Sequence, residues 1–171
     1  METVPPFTRP LVPDHELRDV REFMLKFGQL VHNVPGHLTK RKLGEREVFM
    51  QEELNEFKEA ASKQDLAGMA DALVDLCYVL KGTAIMLGLP WEALWADVHR
   101  ANMSKVKGLT HRGHLVDAKK PEGWIGPKTW ELLEEFGYVR ASWGTPEWSA
   151  HHDESKCRDD EVHQEASHGS V

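Results

Sequence analysis

The chain has 171 residues, 40% of them hydrophobic, which suits one domain with a substantial core. Its formal net charge of −7 disfavours a nucleic-acid groove. We find no basic segment followed by an apolar stretch at the start and no apolar run of membrane length. We therefore expect a cytoplasmic protein with neither a nucleic-acid nor a membrane partner. Cys77 is expected to be a small buried hydrophobe and Cys157 part of a polar tail, so neither a disulfide framework nor a zinc motif is implied.

Residues 1–13 contain four prolines and predict an extended arm without a core of its own. Asp14 is a typical N-cap for a first helix, which we expect to run to about Asn33. Its apolar stripe is predicted from residues at helical spacing, namely Leu17, Val20, Phe23, Met24, Phe27, Leu30 and Val31.

Three further helices are predicted between residues 44 and 105. The second runs from about Gly44 to Ser62, with its apolar positions at Val48, Phe49, Leu54, Phe57 and Ala60. The third begins after an Asp65 cap, reaches Leu87 and is terminated by Gly88. The fourth opens at Pro90 and runs from Trp91 to about Lys105, with a predicted core of Leu94, Trp95, Val98 and Met103.

Glycines and prolines mark residues 107–126 as an irregular segment, followed by a short helix from Thr129 to Phe136 that Gly137 closes. Residues 141–171 are polar, acidic and rich in histidine, and we expect them to be mobile in solution. Short connections favour antiparallel packing of successive helices. The prediction is an all-α four-helix bundle formed by residues 14–140.

Five acids are predicted to converge between the second and third helices. Glu52, Glu53 and Glu56 project from one arc of about 100°. Asp71 and Asp75 are four residues apart and share a face of the third helix. Asp75 interrupts the largely apolar run 72–80, where an unpaired carboxylate would be unfavourable. If the two helices form an antiparallel hairpin, the five carboxylates repel one another unless a divalent cation lies between them.

Magnesium and manganese suit such a group because both are hard cations that take oxygen ligands and are often completed by substrate phosphates. Two or three ions could activate a water and clamp a leaving phosphate, so phosphoryl transfer is the natural chemistry. Two simpler interpretations remain open. A glutamate-rich helix is often a solvated face, and a buried aspartate can be satisfied by a tryptophan or a capping group.

The same residues resemble a known family. The segments at 52–56, 71–78, 82–84 and 99–105 together resemble the MazG-like all-α nucleoside triphosphate pyrophosphohydrolases, over about residues 14–136. Lys120-Pro-Glu-Gly-Trp124 followed by Pro127 is similar to the closing segment of short, phage-type members. The chain departs from the pattern at Ala72, where the family usually has a glutamate. Asp71, one residue earlier and shorter, is the expected replacement ligand.

The resemblance implies hydrolysis between the α and β phosphates of a nucleoside triphosphate, giving a nucleoside monophosphate and pyrophosphate. It implies a magnesium-binding set, with two or three ions and manganese as a substitute, made of Glu52, Glu53, Glu56, Asp71 and Asp75. One of the three glutamates would orient or deprotonate the attacking water. Asn102 and Lys105 would face sugar and phosphate, and Lys120 could reach the phosphates. Without the resemblance, an equally good interpretation is that Asn102 and Lys105 belong to an exposed helix end and that Lys120 is a solvated loop lysine.

Base selection is less determined by the sequence. Gln29, His32 and Asn33 could read a base edge, although each is a common surface residue. Trp91 and Trp95 share a helix face and could stack on a base or pack in a core or dimer interface. Some phage-type members, the MazZ-like enzymes, act on guanine nucleotides, which favours dGTP or GTP and the cytoplasm of an infected host. dUTP or dCTP and phosphoribosyl-ATP are the alternative substrates.

We expect a homodimer or homotetramer, because four short helices with a carboxylate-lined face leave apolar surface to cover; the resemblance implies the same. Two other classes of function remain open. One is a non-catalytic helical module that binds nucleotides through a structural metal. The other is an interaction protein whose acids only face solvent.

Overall fold

The computed structural model describes residues 14–108 and 117–140, which form five helices and two short strands. In chain order these are α1 His15–Lys26, α2 Lys40–Ser62, α3 Leu66–Met86, α4 Trp91–Met103, β1 Val106–Gly108, β2 Asp117–Lys119 and α5 Thr129–Glu135. The predicted all-α class is confirmed. The predicted arm 1–13 and tail 141–171, including Cys157, lie outside the described residues.

Side-chain caps begin the first three helices. Asp14 and Asp65 each accept a hydrogen bond from the backbone N–H three residues later, at 2.9 and 3.1 Å, as predicted. Thr39 caps α2 in the same way, so this helix begins at Lys40, four residues before the predicted start at Gly44. The early start was missed because the basic segment before Gly44 lacks an apolar stripe.

The prediction for the end of the first helix is wrong. α1 ends at Lys26 rather than near Asn33, because Gly28 adopts a φ of +62°. The N–H of Gln29 then bonds to the carbonyl of Met24 at 2.8 Å, which closes the last turn. At the end of α3, Gly88 adopts a φ of +64°, so the predicted terminator is confirmed there.

The core lies where α1, the C-terminal half of α3 and the loop between α1 and α2 meet. Its buried residues are Val20, Met24, Leu38, Ile85 and Met86, with Leu17, Val31 and Leu87 packed against them. The loop is held to the end of α3 by backbone hydrogen bonds from His32 to Ile85 and from Gly36 to Leu87. Burying this apolar surface is the main stabilising term for the helix packing.

A buried lysine ties three helices together near the same core. Lys81 on α3 is 8% exposed, and its Nζ contacts both carboxylate oxygens of Asp14 at 2.8 Å and also Glu16. The indole N–H of Trp91, the first residue of α4, donates to Asp14 at 3.1 Å. Asp14 therefore caps α1, neutralises the lysine and anchors the start of α4.

α2 and α3 form the predicted antiparallel hairpin, whereas the chain turns by 116° between α3 and α4. α4 packs mainly against α5, so the antiparallel series does not continue through the fourth helix. Within the described ranges no single helix is long and apolar enough to cross a membrane. α3 and α4 meet that length and composition test only together, as a bent pair.

The described parts of the segment predicted to be irregular, 107–108 and 117–126, are more ordered than predicted. β1 and β2 pair antiparallel with Val106 opposite Lys119. Neither three-residue strand carries an apolar alternation, so the sequence held no strand signal. The short helix α5 and its terminator Gly137, with a φ of +97°, confirm the prediction for that segment.

Many predicted core side chains are exposed in the single chain. Trp95 is 64% and Met103 70% exposed, and the same correction applies to Phe23, Phe27, Leu30, Val48, Phe49, Leu54 and Val98. Helical periodicity identified apolar faces correctly, but α2, α3 and α4 present more of them than one chain covers. The exposed apolar side chains lie on all of the first four helices, for example Phe23, Val48, Leu73 and Trp95.

Candidate metal and nucleotide site

The hairpin of α2 and α3 is organised in three layers, seven residues apart on each helix. In the layer next to the connecting loop, Gly68 approaches Ala60 so closely that an added Cβ would lie 3.1 Å from the Ala60 Cβ. In the layer at the open end, a Cβ on Gly82 would lie 3.4 Å from a guanidinium nitrogen of Arg46. The middle layer pairs Glu53 with Asp75. Small residues in the outer layers let the two helices come close around this acidic pair.

Glu53 is the centre of the predicted acidic cluster, the group formed by Glu52, Glu53, Glu56, Asp71 and Asp75. Burial raises the pKa of the Glu53 carboxyl, and the charges of the four other members raise it further. Among these four, Glu56 has the largest effect and Asp75 the next. All five predicted acids therefore converge on one carboxylate.

The Glu53 Oε2 atom is buried and accepts no hydrogen bond. A buried carboxylate oxygen without a donor is unfavourable, and near four other acids it cannot gain one from them while they are ionised. Lysine and arginine are absent from the groups that shift this carboxyl. The arrangement has the charge and the oxygen donors that a hard divalent cation requires.

Asp75 is not buried, contrary to the prediction for the run 72–80. Ala72 is the buried residue of that run, at 1% exposure, whereas Asp75 and Cys77 are both exposed. The prediction treated α3 as surrounded on all sides, but among the described elements it packs mainly against α2 and α1. Asp75 therefore has access to solvent or to an incoming ion while still acting on Glu53.

The acidic cluster is not yet gathered into a coordination shell. Across residues 14–108 and 117–140, no group of three or more acids, histidines or cysteines is spaced to hold an ion. Four of the five carboxylates are exposed and can change rotamer. Ala72, at the usual family ligand position, offers no donor atom. The donor set thus fits a divalent cation in type and charge.

A second group, at the end of α4, surrounds Trp124, a residue for which the sequence motif predicts no role of its own. The indole N–H of Trp124 donates to the carbonyl of Ala101 at 2.9 Å, which fixes the ring against α4. The Nζ atoms of Lys120 and Lys105 lie 4.6 and 5.7 Å from the ring centroid. Lys105 also donates to the Asn102 side chain at 2.8 Å. Three predicted substrate-binding residues are therefore brought together by one tryptophan.

The register of the two paired strands, β1 and β2, explains why Lys105 and Lys120 are neighbours. Val106 pairs with Lys119, so the next position outward places Lys105 opposite Lys120. Like charges directly opposite are unfavourable in a sheet. Neither lysine forms an ion pair within the described part of the chain. This lysine pair is suited to an anion, because among the described residues no carboxylate forms a hydrogen bond or an ion pair with either lysine, in contrast to the acidic cluster on α2 and α3.

The predicted base-reading residues form no cluster of their own. Gln29 is exposed beyond α1, and Asn33 accepts a hydrogen bond from Arg21. The rings of Trp91 and Trp95 stack with centroids 6.3 Å apart, which confirms their shared face. Within the described residues, no side-chain contact joins Gln29, the acidic cluster and the lysine pair to one another.

Comparison with known families gives the class of protein. The family model described as phosphoribosyl-ATP pyrophosphohydrolase matches residues 20–102, a range that contains the whole acidic cluster and Asn102. With the all-α fold, this match shows a nucleotide pyrophosphohydrolase, a hydrolase acting on acid anhydrides. The match supports the MazG-like all-α nucleoside triphosphate pyrophosphohydrolase superfamily, which the sequence motifs resemble. No curated protein matches the chain.

Proposed function

We propose that this protein is a magnesium-dependent nucleoside triphosphate pyrophosphohydrolase. Water attacks the α-phosphate, the bond between the α-phosphorus and the bridging oxygen breaks, and a nucleoside monophosphate and pyrophosphate leave. The observation that carries the proposal is Glu53, whose buried Oε2 lacks a donor and whose pKa is raised by burial and by four converging acids. A divalent cation would stabilise the ionised form of this carboxylate, because it supplies both the missing contact and the opposite charge.

The acidic cluster would hold two or three magnesium ions, for which manganese substitutes. When bound, the ions supply charge neutralisation and a more acidic water. One of Glu52, Glu53 and Glu56 orients or deprotonates the attacking water. Asp75 is exposed yet close enough to raise the pKa of Glu53, so it can share an ion with the glutamates. Asp71 acts on the same carboxyl and takes the role that Ala72 cannot fill.

The lysine pair would bind the phosphate groups, with Asn102 on the sugar side. Two ammonium groups held over one indole ring present adjacent positive charges without a competing carboxylate. Binding of the β and γ phosphates there would hold the triphosphate equally in the ground state and in the transition state. The register of β1 and β2 and the hydrogen bond from Trp124 to Ala101 support this placement.

Guanine nucleotides, dGTP or GTP, are the proposed substrates, on the strength of the phage-type closing segment. Gln29 is exposed and supplies both a donor and an acceptor for a base edge. dUTP, dCTP and phosphoribosyl-ATP are the alternatives that a substrate panel would reveal. The proposed location is the cytoplasm, that of the host if a phage encodes the protein.

A homodimer or homotetramer would cover the apolar surface that the single chain exposes. Much of it surrounds an apolar groove of about 380 Å³ between α1 and α3, lined in part by Val20, Leu73, Val74 and Tyr78. Edge-to-face packing of Phe23 on Tyr78 extends the same surface. Assembly could also bring the lysine pair of one copy to the acidic cluster of another.

The test is release of pyrophosphate from a panel of nucleoside triphosphates with magnesium. The proposal expects a monophosphate and pyrophosphate in equal amounts, with dGTP or GTP preferred. Glu56→Ala and Asp75→Ala should abolish turnover and leave the helical circular dichroism signal unchanged, because both side chains are exposed. Tight nucleotide binding without turnover would favour the non-catalytic module instead. The absence of both binding and turnover would favour an interaction protein.

A further inference from the structure

Arg46 on α2 reaches across the hairpin to the backbone of α3. Its Nη2 donates to the carbonyl oxygen of Val79 at 2.8 Å, and its Nε donates to the hydroxyl of Thr83 at 3.0 Å. The Thr83 hydroxyl donates in turn to the Val79 carbonyl at 2.9 Å. The guanidinium also lies over the Phe49 ring, with its carbon 5.3 Å from the centroid. Arg46 therefore bridges the two helices through two hydrogen bonds.

The guanidinium is used for helix contacts rather than for an ion pair. Its neighbour Glu45 pairs with Arg41 and Lys42 instead. No carboxylate contacts Arg46 within the described part of the chain. Burial lowers the pKa of the Arg46 guanidinium, but an arginine side chain stays charged in proteins. A planar fork that bonds two acceptors one turn apart fixes both the spacing and the register of the helices.

Arg46 closes the end of the hairpin that the connecting loop leaves open. At the other end, Lys63 and Gln64 connect the helices and Gly68 packs against Ala60. Glu53 lies seven residues from Arg46 and seven from Ala60, which is about 10 Å along the helix in each direction. The acidic cluster thus occupies the middle of a helix pair that is fastened at both ends.

We infer that Arg46 is a positioning residue for the metal ions, and that it holds α2 and α3 in the spacing that lets the acidic cluster bind them. Five carboxylates repel one another before an ion arrives, and that repulsion pushes the two helices apart. The loop resists separation at one end, and the Arg46 contacts resist it at the other. Without Arg46, ion binding must also supply the free energy of closing the hairpin. The inference rests on the proposed function only in that the acidic cluster binds a divalent cation.

The experiment measures manganese binding to the full chain without nucleotide, by calorimetry and by the electron paramagnetic resonance signal of free Mn²⁺. Arg46→Met removes the fork, Arg46→Lys keeps the charge, and Thr83→Val removes one acceptor from α3. Arg41→Met is the matched control, because it removes a cation from the exposed side of the same helix. Thermal unfolding of each variant is recorded with and without the ion.

We expect Arg46→Met to weaken manganese binding about tenfold or more, the usual effect of losing a group that orients metal ligands. Arg46→Lys should recover part of the affinity, and Arg41→Met should stay within about twofold of the parent protein. Combining Arg46→Met with Thr83→Val should weaken binding less than the two separate effects predict, because both remove the same contact. With saturating manganese, turnover by Arg46→Met should return to within about threefold of the parent value.

Equal manganese affinities for Arg46→Met and the parent protein would overturn the inference, even if the variant unfolded at a lower temperature. Failure of the parent protein to bind manganese would overturn it as well. If manganese binding depends on Arg46 while no triphosphate is hydrolysed, the proposed function fails and the positioning role stands. If Arg46→Met does not fold, the comparison of Arg46→Lys and Thr83→Val with the parent protein decides the question by the same criterion.

Discussion

Lys81 contacts both carboxylate oxygens of Asp14 at 2.8 Å, although the two residues are 67 positions apart in the chain. Burial raises the pKa of Asp14, but the hydrogen bonds from Lys81, Leu17 and Trp91 and the charge of Lys81 together outweigh it and lower that pKa below 3.8. Burial would lower the pKa of Lys81, but its bonds to Asp14 and Glu16 raise it above 10.5. The pair is therefore charged across the physiological range and joins α1 to α3.

The change Lys81→Met should lower the free energy of unfolding by about 2 kcal/mol, because Asp14 then keeps only its bonds from Leu17 and Trp91. Denaturant titration at pH 7 measures the loss. Lys58→Met, a change at an exposed lysine of α2, is the control and should have little effect. A loss no larger than the control's would contradict the role given to the pair.

The same pair predicts how stability depends on pH. The folded pKa of Asp14 is depressed, so its contribution is present above pH 3.8 and is lost as pH falls through the lower folded value. The folded pKa of Lys81 is raised, so its contribution is present below pH 10.5 and is lost as pH rises through the higher folded value. The difference between the parent protein and Lys81→Met should thus be constant from pH 5 to 9. A difference that grew on acidification would contradict this sign.

Gly88 and Gly28 offer a matched test of backbone packing. Both residues have a positive φ, but they differ in the space around them. A Cβ added to Gly88 would lie 2.1 Å from the carbonyl oxygen of Val34. A Cβ added to Gly28 would have no described heavy atom of another residue within 4 Å, apart from its chain neighbours. Gly28→Ala should cost about 1 kcal/mol for the left-handed conformation. Gly88→Ala should cost at least about 3 kcal/mol, because the loop must also move. Equal losses in denaturant titration would show that the loop does not pack as described.

Trp124 should matter for substrate affinity without touching the reacting atoms. Trp124→Leu removes the hydrogen bond to Ala101 and the ring under Lys105 and Lys120. We expect KM for the triphosphate to rise about fivefold to tenfold with kcat within about twofold, from the loss of two cation–π contacts. Trp130→Leu is the control. Trp130 lies on α5 and makes a similar cation–π contact, with the guanidinium carbon of Arg140 4.3 Å from its ring centroid. A fall in kcat with an unchanged KM would contradict the phosphate-binding role.

Asp75 and Asp71 should differ as metal ligands. Asp75 raises the pKa of Glu53 more than Asp71 does, so it lies in the more favourable place to share an ion. We expect Asp75→Asn to weaken manganese binding by more than about tenfold, and Asp71→Asn by less. Calorimetry of the nucleotide-free protein measures the manganese affinity of both variants. Glu47→Gln, a change at an exposed acid of α2, is the control. A larger loss of manganese affinity in Asp71→Asn than in Asp75→Asn would contradict this prediction.

The parts of the fold that depend on local chemistry were predictable. Asp14 and Asp65 cap helices because their side chains satisfy free N–H groups, and Gly88 ends α3 because glycine tolerates a positive φ. The convergence of the five acids was also predictable, because helical spacing and a short loop fix it. Gly28 was passed over because the apolar stripe of α1 continues beyond it in the sequence.

The parts of the fold that depend on which helix faces pack against each other were not predictable. Periodicity shows that a helix face is apolar, but it does not show whether the same chain covers it, so Asp75, Cys77 and Trp95 were placed in a core that does not enclose them. Arg46 could have been noticed from its position seven residues before Glu53. Its acceptors, however, include a backbone carbonyl of α3, for which no sequence pattern exists.

The most direct test of the central claim follows the oxygen of the attacking water. Hydrolysis of dGTP by the protein with magnesium in ¹⁸O-labelled water, analysed by mass spectrometry, shows which phosphorus receives the label. Attack of water at the α-phosphate predicts dGMP carrying one labelled oxygen, unlabelled pyrophosphate, and no product from Asp75→Ala. Label in pyrophosphate, formation of dGDP and phosphate, or full turnover by Asp75→Ala would contradict it.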